Sequence, residues 1–366
     1  MKLKVERKAA YEAAVKASKI LQKGITVYSD CLYLEAKDGN LYFSAYSPKM
    51  SLVTSAGEIT SDQNFECLFQ ADSLLPVLQK INAKTVTFEY NESAENLLVK
   101  GGSVRLNIRC YEKKQWPGIR RIDHPDFEKE TDFLFPAISQ TKHSLPRSGA
   151  DSVLSSFVIE QAKDSWTITA LDGHRISSRG ECKEHYEHTI LLDGSCMVTL
   201  ENIFSDTEIT LMIKDEEVAI KSEETYVLLR SVAGHPFNLT NIYAQTPKVC
   251  ISVVKEEIQE IIELAIAAIS NYATGHERII IQVNGDAKEM VLTSTDQNGN
   301  SIRSTIDIQT ESNENIQLAL NPKYLLDAIR SLPIEGEITL QLTNSVLPVI
   351  MRGDNYVELI LPVKIS

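Results

Sequence analysis

The chain has 366 residues, 43% hydrophobic and 24% charged, with 16 Gly and 12 Pro, which excludes disordered, collagen-like and low-complexity classes. That length exceeds what one hydrophobic core organises, so two or three domains are expected. Acidic residues outnumber basic ones by 13, which argues against a generally basic nucleic-acid or membrane-surface protein and leaves room for a local basic face.

The N-terminus, MKLKVERKAAYEAA, is charged from the start and has no apolar stretch followed by a small-residue cleavage site, so no secretory signal is read there. A helix is expected from Lys8 to Gln22, closed by Gly24 as its C-cap. Lys8, Lys16, Lys19 and Lys23 would then fall within an arc of about 80°, opposite Ala10, Ala13, Ala17 and Leu21. Such a stripe is either a solvated face or a surface for sequence-independent phosphate contact. A strand follows at Leu41–Ala45, then a helix-strand pair from Phe69 (FQADSLLPVLQKINAKTVTFEY) and a further pair of strands in LLVKGGSVRLNI.

Beyond a Pro- and charge-rich stretch near Ile122 to Glu130, the same order returns: a helix over roughly Asp132 to Ser144, a strand at Trp166–Ala170, a helix-strand pair from Leu191 and a strand pair from Glu217. After Ala244 to Lys248 it returns again. The third helix, Val254 to Ser270, carries one apolar stripe through Val254, Ile258, Ile261, Ile262, Ala265 and Ile269. It precedes a strand at Met290–Ser294, the helix ALNPKYLLDAIRSL and the final strands PVIMRGDNYVELILPV. The triplets starting at Val86, Ile209 and Ile338 lie 123 and 129 residues apart, and the strands starting at Leu41, Trp166 and Met290 lie 125 and 124 apart. Two independent anchors therefore give one period. The fold class read from this is α+β: three similar domains, 1–123, 128–246 and 247–366, each with two helices packed on antiparallel sheet. Split at 123/124 and 246/247, the three segments carry formal charges of +4, −10 and −7.

Six cysteines are scattered singly, as expected of reduced, structural thiols. Cys182, His185 and His188 in ECKEHYEH lack an evident fourth ligand, so no metal is expected. The turn in TALDGHRI brings Asp172 close to His174, but no nucleophile elbow, metal motif or phosphate loop accompanies them, and a local turn is the simpler reading. No catalytic residue and no cofactor are expected. No apolar run approaches the roughly 20 residues that span a bilayer.

The segments ALDGHRISS, QADSLLPVLQKI, NPKYLLDAIRSL and YVELILPVKIS, with the threefold organisation and the length, resemble the bacterial DNA polymerase III beta sliding-clamp family. The resemblance covers essentially the whole chain, and the DGHR turn and the N-x-x-Y-L-L-D helix are its most specific elements. It implies a head-to-tail homodimer closing into a ring around double-stranded DNA, with the lysines above and Lys80 facing the duplex. It also implies a pocket for short hydrophobic peptide motifs of the polymerase III alpha subunit, the clamp loader, and repair and translesion polymerases. By position, the pocket would comprise Leu154, Leu171, Gly173, His174, Arg175, Ile176, Pro236, Ile242, Asn321, Tyr324, Val346, Leu359, Ile360, Leu361, Pro362 and Val363, with Arg175, His174 and Asn321 orienting the peptide backbone. The dimer contact would set Leu106 and Ile108 against Ile269 of the other subunit, in a cytoplasmic, nucleoid-associated protein. A second reading, motivated by the acidic helix KEEIQEIIE, keeps the peptide pocket without encircling DNA.

Overall fold

The structure, a computed structural model, describes the chain except Val27, Asp62, Asp206, Ser366 and residues 148–151, 163–164, 181–187, 240–244, 269–277 and 297–298. The described helices are α1 (Arg7–Ser18), α2 (Ala71–Lys80), α3 (Leu134–Thr141), α4 (Gly194–Phe204), α5 (Lys255–Ala268) and α6 (Pro322–Ser331). They are set among antiparallel strands, so the mixed helix and antiparallel-sheet class read from the sequence holds. By compactness the chain divides into one unit of Met1–Asp132 with Val198–Ser231 and another of Phe133–Met197 with Val232–Ser366.

The first unit holds two sheets. One runs in the order Thr60–Ser61, Lys2–Glu6, Thr85–Asn91, Asn96–Gly101, Val104–Arg109. The other has eight strands, four from the first repeat and four from the second, joined where Thr225–Arg230 pairs with Met50–Glu58 in the register Thr225↔Thr54. The second unit repeats this device. Its eight-stranded sheet is joined where Arg175–Gly180 pairs with Tyr356–Ile360, Arg175 opposite Ile360. Its four-stranded sheet runs Ser301–Asp307, Glu289–Thr295, Ile279–Asn284, Asn315–Leu320. Each eight-stranded sheet therefore draws strands from two successive repeats, because the outer strand of one repeat completes its hydrogen bonds on the outer strand of the next.

The recurrent sequence segments occupy equivalent elements. The three triplets open or lie within Thr85–Asn91, Ile209–Lys214 and Glu337–Leu342, and the other anchor forms Asn40–Tyr46, Ser165–Leu171 and Glu289–Thr295. Thr85–Asn91 and Glu337–Leu342 alternate buried and open positions, as the period of two requires. Helix α1 buries Ala10, Ala13, Ala14 and Ala17, whose small side chains let the helix lie close against its sheet.

Helix α1 is shorter than expected. It ends at Ser18, whose hydroxyl bonds back to the Val15 carbonyl at 2.8 Å, and the chain then turns so that Ile20 is buried rather than Leu21. The Gln22 N–H donates to the Ser29 carbonyl at 2.9 Å, which holds this turn. Gly24 does adopt a left-handed φ of 79°, but in that separate turn, so it is not the helix cap. Lys19 occupies the cap and Lys23 lies beyond the helix, so the four-lysine helical stripe reduces to Lys8 and Lys16 on α1 itself. Helix α3 ends at Thr141 and passes into a 3₁₀ turn, Lys142–Ser144.

Candidate functional site

Within the second unit, Leu171 ends one strand and Arg175 begins the next, so Asp172, Gly173 and His174 form the connecting turn. Gly173 takes φ 85°, a left-handed conformation that a residue without Cβ adopts at no steric cost. The Asp172 carboxylate organises the turn. Its Oδ1 accepts the backbone N–H of His174 at 2.9 Å and of Arg175 at 3.1 Å, and its Oδ2 accepts Arg175 Nε at 3.0 Å. These three bonds assign Asp172 to shaping the loop rather than to a proton-transfer role with His174.

The Arg175 side chain is 4% exposed and reaches away from the turn to helix α6. Its Nη1 donates to Asp327 Oδ2 at 2.8 Å, and its guanidinium lies 4.2 Å from the centroid of the Tyr324 ring. The His174 ring also stacks on Tyr324, with centroids 6.4 Å apart at 28°. Asn321 caps α6, its Oδ1 accepting the N–H of Lys323 at 2.9 Å and of Tyr324 at 3.4 Å, with Pro322 at the first helical position. The DGHR turn and the N-x-x-Y-L-L-D helix, some 150 residues apart, thus lock together through one buried arginine. Arg175 is accordingly committed to two carboxylates and a ring, and the Asn321 oxygen to the helix cap. Both residues thus have a structural role in this lock.

Beside this lock lies an apolar cluster of Leu171, Ile176, Ile350, Val357 and Leu359, against which Leu154 and Leu239 pack. Pro236 is half-buried nearby in sequence to Leu239. Leu361, 38% exposed, and Val363, 36% exposed, follow the last strand, and the chain there is pinned by Leu361 N–H to the His174 carbonyl at 2.8 Å and Val363 N–H to the Ala319 carbonyl at 2.8 Å. Pro362 is half-buried between them. Val346 is 75% exposed. Ile360 belongs elsewhere: it is fully buried in the large core of the third repeat, because side chains alternate along Tyr356–Ile360 and only Val357 and Leu359 turn to the cluster. Ile242 lies outside the described residues. Asp327, present in the N-x-x-Y-L-L-D motif but given no role there, completes the site with Leu239, Ile350 and Val357, which were not among the expected pocket residues. Alternation through VIMR and YVELI, and the three-residue spacing from Tyr324 to Asp327, were the signals available.

The basic face sits in the first unit. Lys8 pairs with Glu12 at 3.8 Å, Lys16 Nζ with Glu224 at 3.3 Å, and Lys19 Nζ donates to the Asn202 carbonyl at 2.5 Å. Lys23 pairs with Asp72, whose hydrogen bond and charge hold the Lys23 ammonium above its ordinary pKa. Lys80 is exposed at the C-terminal end of α2. Exposed pairs of this kind are screened by water and contribute little, so the ammonium groups can exchange a carboxylate for another anion at small cost.

Two of the described sheets' terminal strands bear on the expected dimer contact. Val104–Arg109 ends the five-stranded sheet and Ser301–Asp307 ends the four-stranded one. Ile108 is only 3% exposed and faces its own core, so Leu106, partly exposed on the same side, and Val104 at 39% are the apolar groups that edge presents. Ile269 lies outside the described residues. So do Cys182 and His185; among the described residues no group of three or more His, Cys, Asp or Glu side chains is placed to hold a metal. No described helix is long and apolar enough to cross a membrane.

Residues 1–120 match the family model for the DNA polymerase III beta subunit N-terminal domain, and residues 247–364 match the model for its C-terminal domain. The chain belongs to the DNA polymerase III beta subunit family. It is 22% identical to the beta sliding clamp of Bacillus subtilis, over 93% of this chain and 90% of that protein, and 20% identical to that of Streptococcus pneumoniae, over 86% and 82%. Its fold superposes on a crystal structure of the DNA polymerase sliding clamp from Bacillus subtilis with a TM-score of 0.91 at 20% identity. For a beta subunit from Thermotoga maritima the TM-score is 0.88 at 18% identity, and each of these alignments covers 100% of both chains. The family resemblance read from ALDGHRISS and NPKYLLDAIRSL therefore holds, and those two segments are the ones that Arg175 joins.

Proposed function

We propose that this protein is a non-catalytic sliding clamp of DNA replication: two copies close head-to-tail around duplex DNA and tether a polymerase, so that topological linkage replaces tight binding. Family membership at both ends of the chain carries the reading. Three repeats, 1–123, 128–246 and 247–366, serve as its domains, six to a ring. The terminal strands Val104–Arg109 and Ser301–Asp307 suit one another across two copies, since an unpaired edge is otherwise a site of uncontrolled association and a head-to-tail contact closes when its rotation completes a circle. Lys8, Lys16, Lys19, Lys23 and Lys80 face the DNA and contact phosphates without sequence preference, in a chain whose remaining repeats are acidic.

The apolar cluster beside the Arg175 lock, with exposed Leu361, Val363 and Val346 added by the family resemblance, takes hydrophobic anchors of short linear peptides. The polymerase alpha subunit, the clamp loader, and repair and translesion polymerases would share it in turn. The protein works in the cytoplasm at the nucleoid.

The deciding experiment loads labelled protein onto nicked circular DNA with a clamp loader and then cuts the circle once at moderate salt. Retention on circles and loss from linear ends is expected, together with a dimeric mass at micromolar concentration. Equal retention on both forms, with a reference clamp behaving normally, would replace this reading with that of a peptide-binding scaffold.

A further inference from the structure

The junction between the first two repeats is built from the same parts as the junction that forms the candidate groove. In the second unit, residues 172–174 turn the chain from Ser165–Leu171 into Arg175–Gly180, which pairs with the last strand so that Ile176 stands opposite Leu359. On its other side Leu359 is opposite Ile350. In the first unit, residues 47–49 turn the chain from Asn40–Tyr46 into Met50–Glu58, which pairs so that Ser51 stands opposite Leu228. On its other side Leu228 is opposite Ala219. Position for position, Lys49, Met50, Ser51 and Arg230 therefore occupy the places that His174, Arg175, Ile176 and Leu361 hold in the second unit. Each junction also carries an apolar cluster met by residues of the linker between repeats, Leu239 in the second unit and Ile119 with Ile122 in the first.

In the first unit the linker is fastened over its cluster. The Ile122 N–H donates to Tyr226 Oη at 2.8 Å, and the Arg121 guanidinium lies 4.9 Å from the centroid of the same ring. A cleft of about 150 Å³ remains at the turn, lined in part by Met50, Leu228 and Leu229, all buried. That is less than the roughly 300–1,000 Å³ of a small-molecule pocket, so the cleft admits one side chain rather than a whole cofactor or metabolite. Its charged lining is cationic. Among the residues that line it, Lys49, Arg120 and Arg230 stand against Glu217, and Glu217 is paired with Arg120.

We propose that this cleft is a second peptide site, for an acidic segment of a partner protein that seats one apolar side chain in it and sets carboxylates on the cationic rim. It rests on the proposed function only in reading the groove of the second unit as a peptide site. Where that groove has Leu361 and Ile176, the cleft has Arg230 and Ser51, so a rim suited to apolar anchors becomes one suited to carboxylates, which guanidinium groups bind through two parallel hydrogen bonds. The rest of the chain sharpens the preference. With acidic residues in excess by 13, an acidic peptide is repelled from much of the surface and attracted here. Such a peptide does not compete with the hydrophobic motifs of the other groove, so one chain can hold two partners at once.

The test is a fluorescence polarisation titration of the full chain with the labelled peptide Asp-Glu-Leu-Glu-Asp, beside its uncharged counterpart Asn-Gln-Leu-Gln-Asn. The acidic peptide is expected to bind saturably and at least tenfold more tightly than the uncharged one. Lys49→Glu combined with Arg230→Glu, both at exposed positions, should weaken it at least tenfold, whereas Leu361→Asp should leave it unchanged. A hydrophobic peptide run in parallel reads the other groove, so failure there and failure here are separate results. Carbodiimide coupling in the unaltered chain, followed by peptide mapping, should join the acidic peptide to Lys49, which decides the question even if the charge-reversed variant folds poorly. Absence of saturable binding, equal affinity for both peptides, an unchanged affinity in the charge-reversed variant, coupling confined to other lysines, or a loss in Leu361→Asp overturns the proposal. So does displacement of the peptide by a short DNA duplex whose own binding falls in the charge-reversed variant, since the cations would then serve DNA.

Discussion

Replacing Glu358 by alanine is expected to lower the melting temperature by roughly 6–20 °C, because it strands a buried guanidinium in the second unit. Glu358 is 1% exposed and Arg179 2%, and Arg179 Nη2 meets Glu358 Oε1 at 2.8 Å. The carboxylate oxygen also accepts Ser177 Oγ at 2.6 Å and Ser331 Oγ at 2.9 Å, while His143 Nε2 stands 3.4 Å from Oε2. Arg179 is further held by Gln140 Oε1 at 2.8 Å, the Ser178 carbonyl at 2.8 Å and the Ser331 carbonyl at 2.7 Å. Two charges taken from water recover their desolvation cost only when geometry and hydrogen bonding are good, and here the guanidinium and Glu358 Oε1 are each held by several bonds. Removing one partner leaves the other charge unpaired at a cost of about 3–5 kcal/mol.

The double variant Arg179→Met, Glu358→Leu removes both charges and is expected to recover most of the loss. Thermal denaturation followed by circular dichroism reads both effects. A shift of only a degree or two for Glu358→Ala would show that the pair is not carrying a buried charge. The arrangement matters to the proposed pocket because Glu358 lies between Val357 and Leu359, so the strand that supplies two members of the apolar cluster is anchored through its opposite face.

Leu361→Asp is expected to weaken binding of a short peptide ending in Leu and Phe residues at least a hundredfold in a fluorescence polarisation titration. A leucine buried beneath a bound peptide contributes about 1.5–3 kcal/mol, and a carboxylate left in that contact adds an uncompensated desolvation cost. Together these exceed the roughly 2.7 kcal/mol that a hundredfold change in affinity represents. Because Leu361 is 38% exposed and its backbone N–H, not its side chain, makes the bond to His174, the melting temperature should stay nearly constant. Unchanged peptide affinity would remove the groove assignment. A fall in both affinity and melting temperature would mean that the side chain supports the fold instead.

Much of this was legible before any coordinates. The repeat showed in two sets of strands with a common period, and every one of those segments forms a strand in the structure. Alternation and amphipathic spacing are local properties of the chain, set by the periods of two and 3.6, so they can be read directly. The limits of α1 could not, because they depend on where Ile20 finds burial and on the Gln22–Ser29 bond, both long-range or turn-specific events. Ile360 was misplaced for a related reason. Alternation says that Leu359 and Ile360 face opposite ways, but only the packing of the third repeat says which way is the core.

By itself the sequence determined the antiparallel α+β class, the threefold period and the two motifs that mark the family, since each is encoded in residue spacing and turn chemistry. Tertiary structure alone decided what those motifs do to each other. It sent Arg175 from its turn onto Asp327 and Tyr324, set Glu358 against Arg179, and paired Thr225–Arg230 with Met50–Glu58 across successive repeats. The physical reason is that a buried charge or an open strand edge must find its partner wherever the chain brings one. No local pattern in the sequence records how distant segments meet.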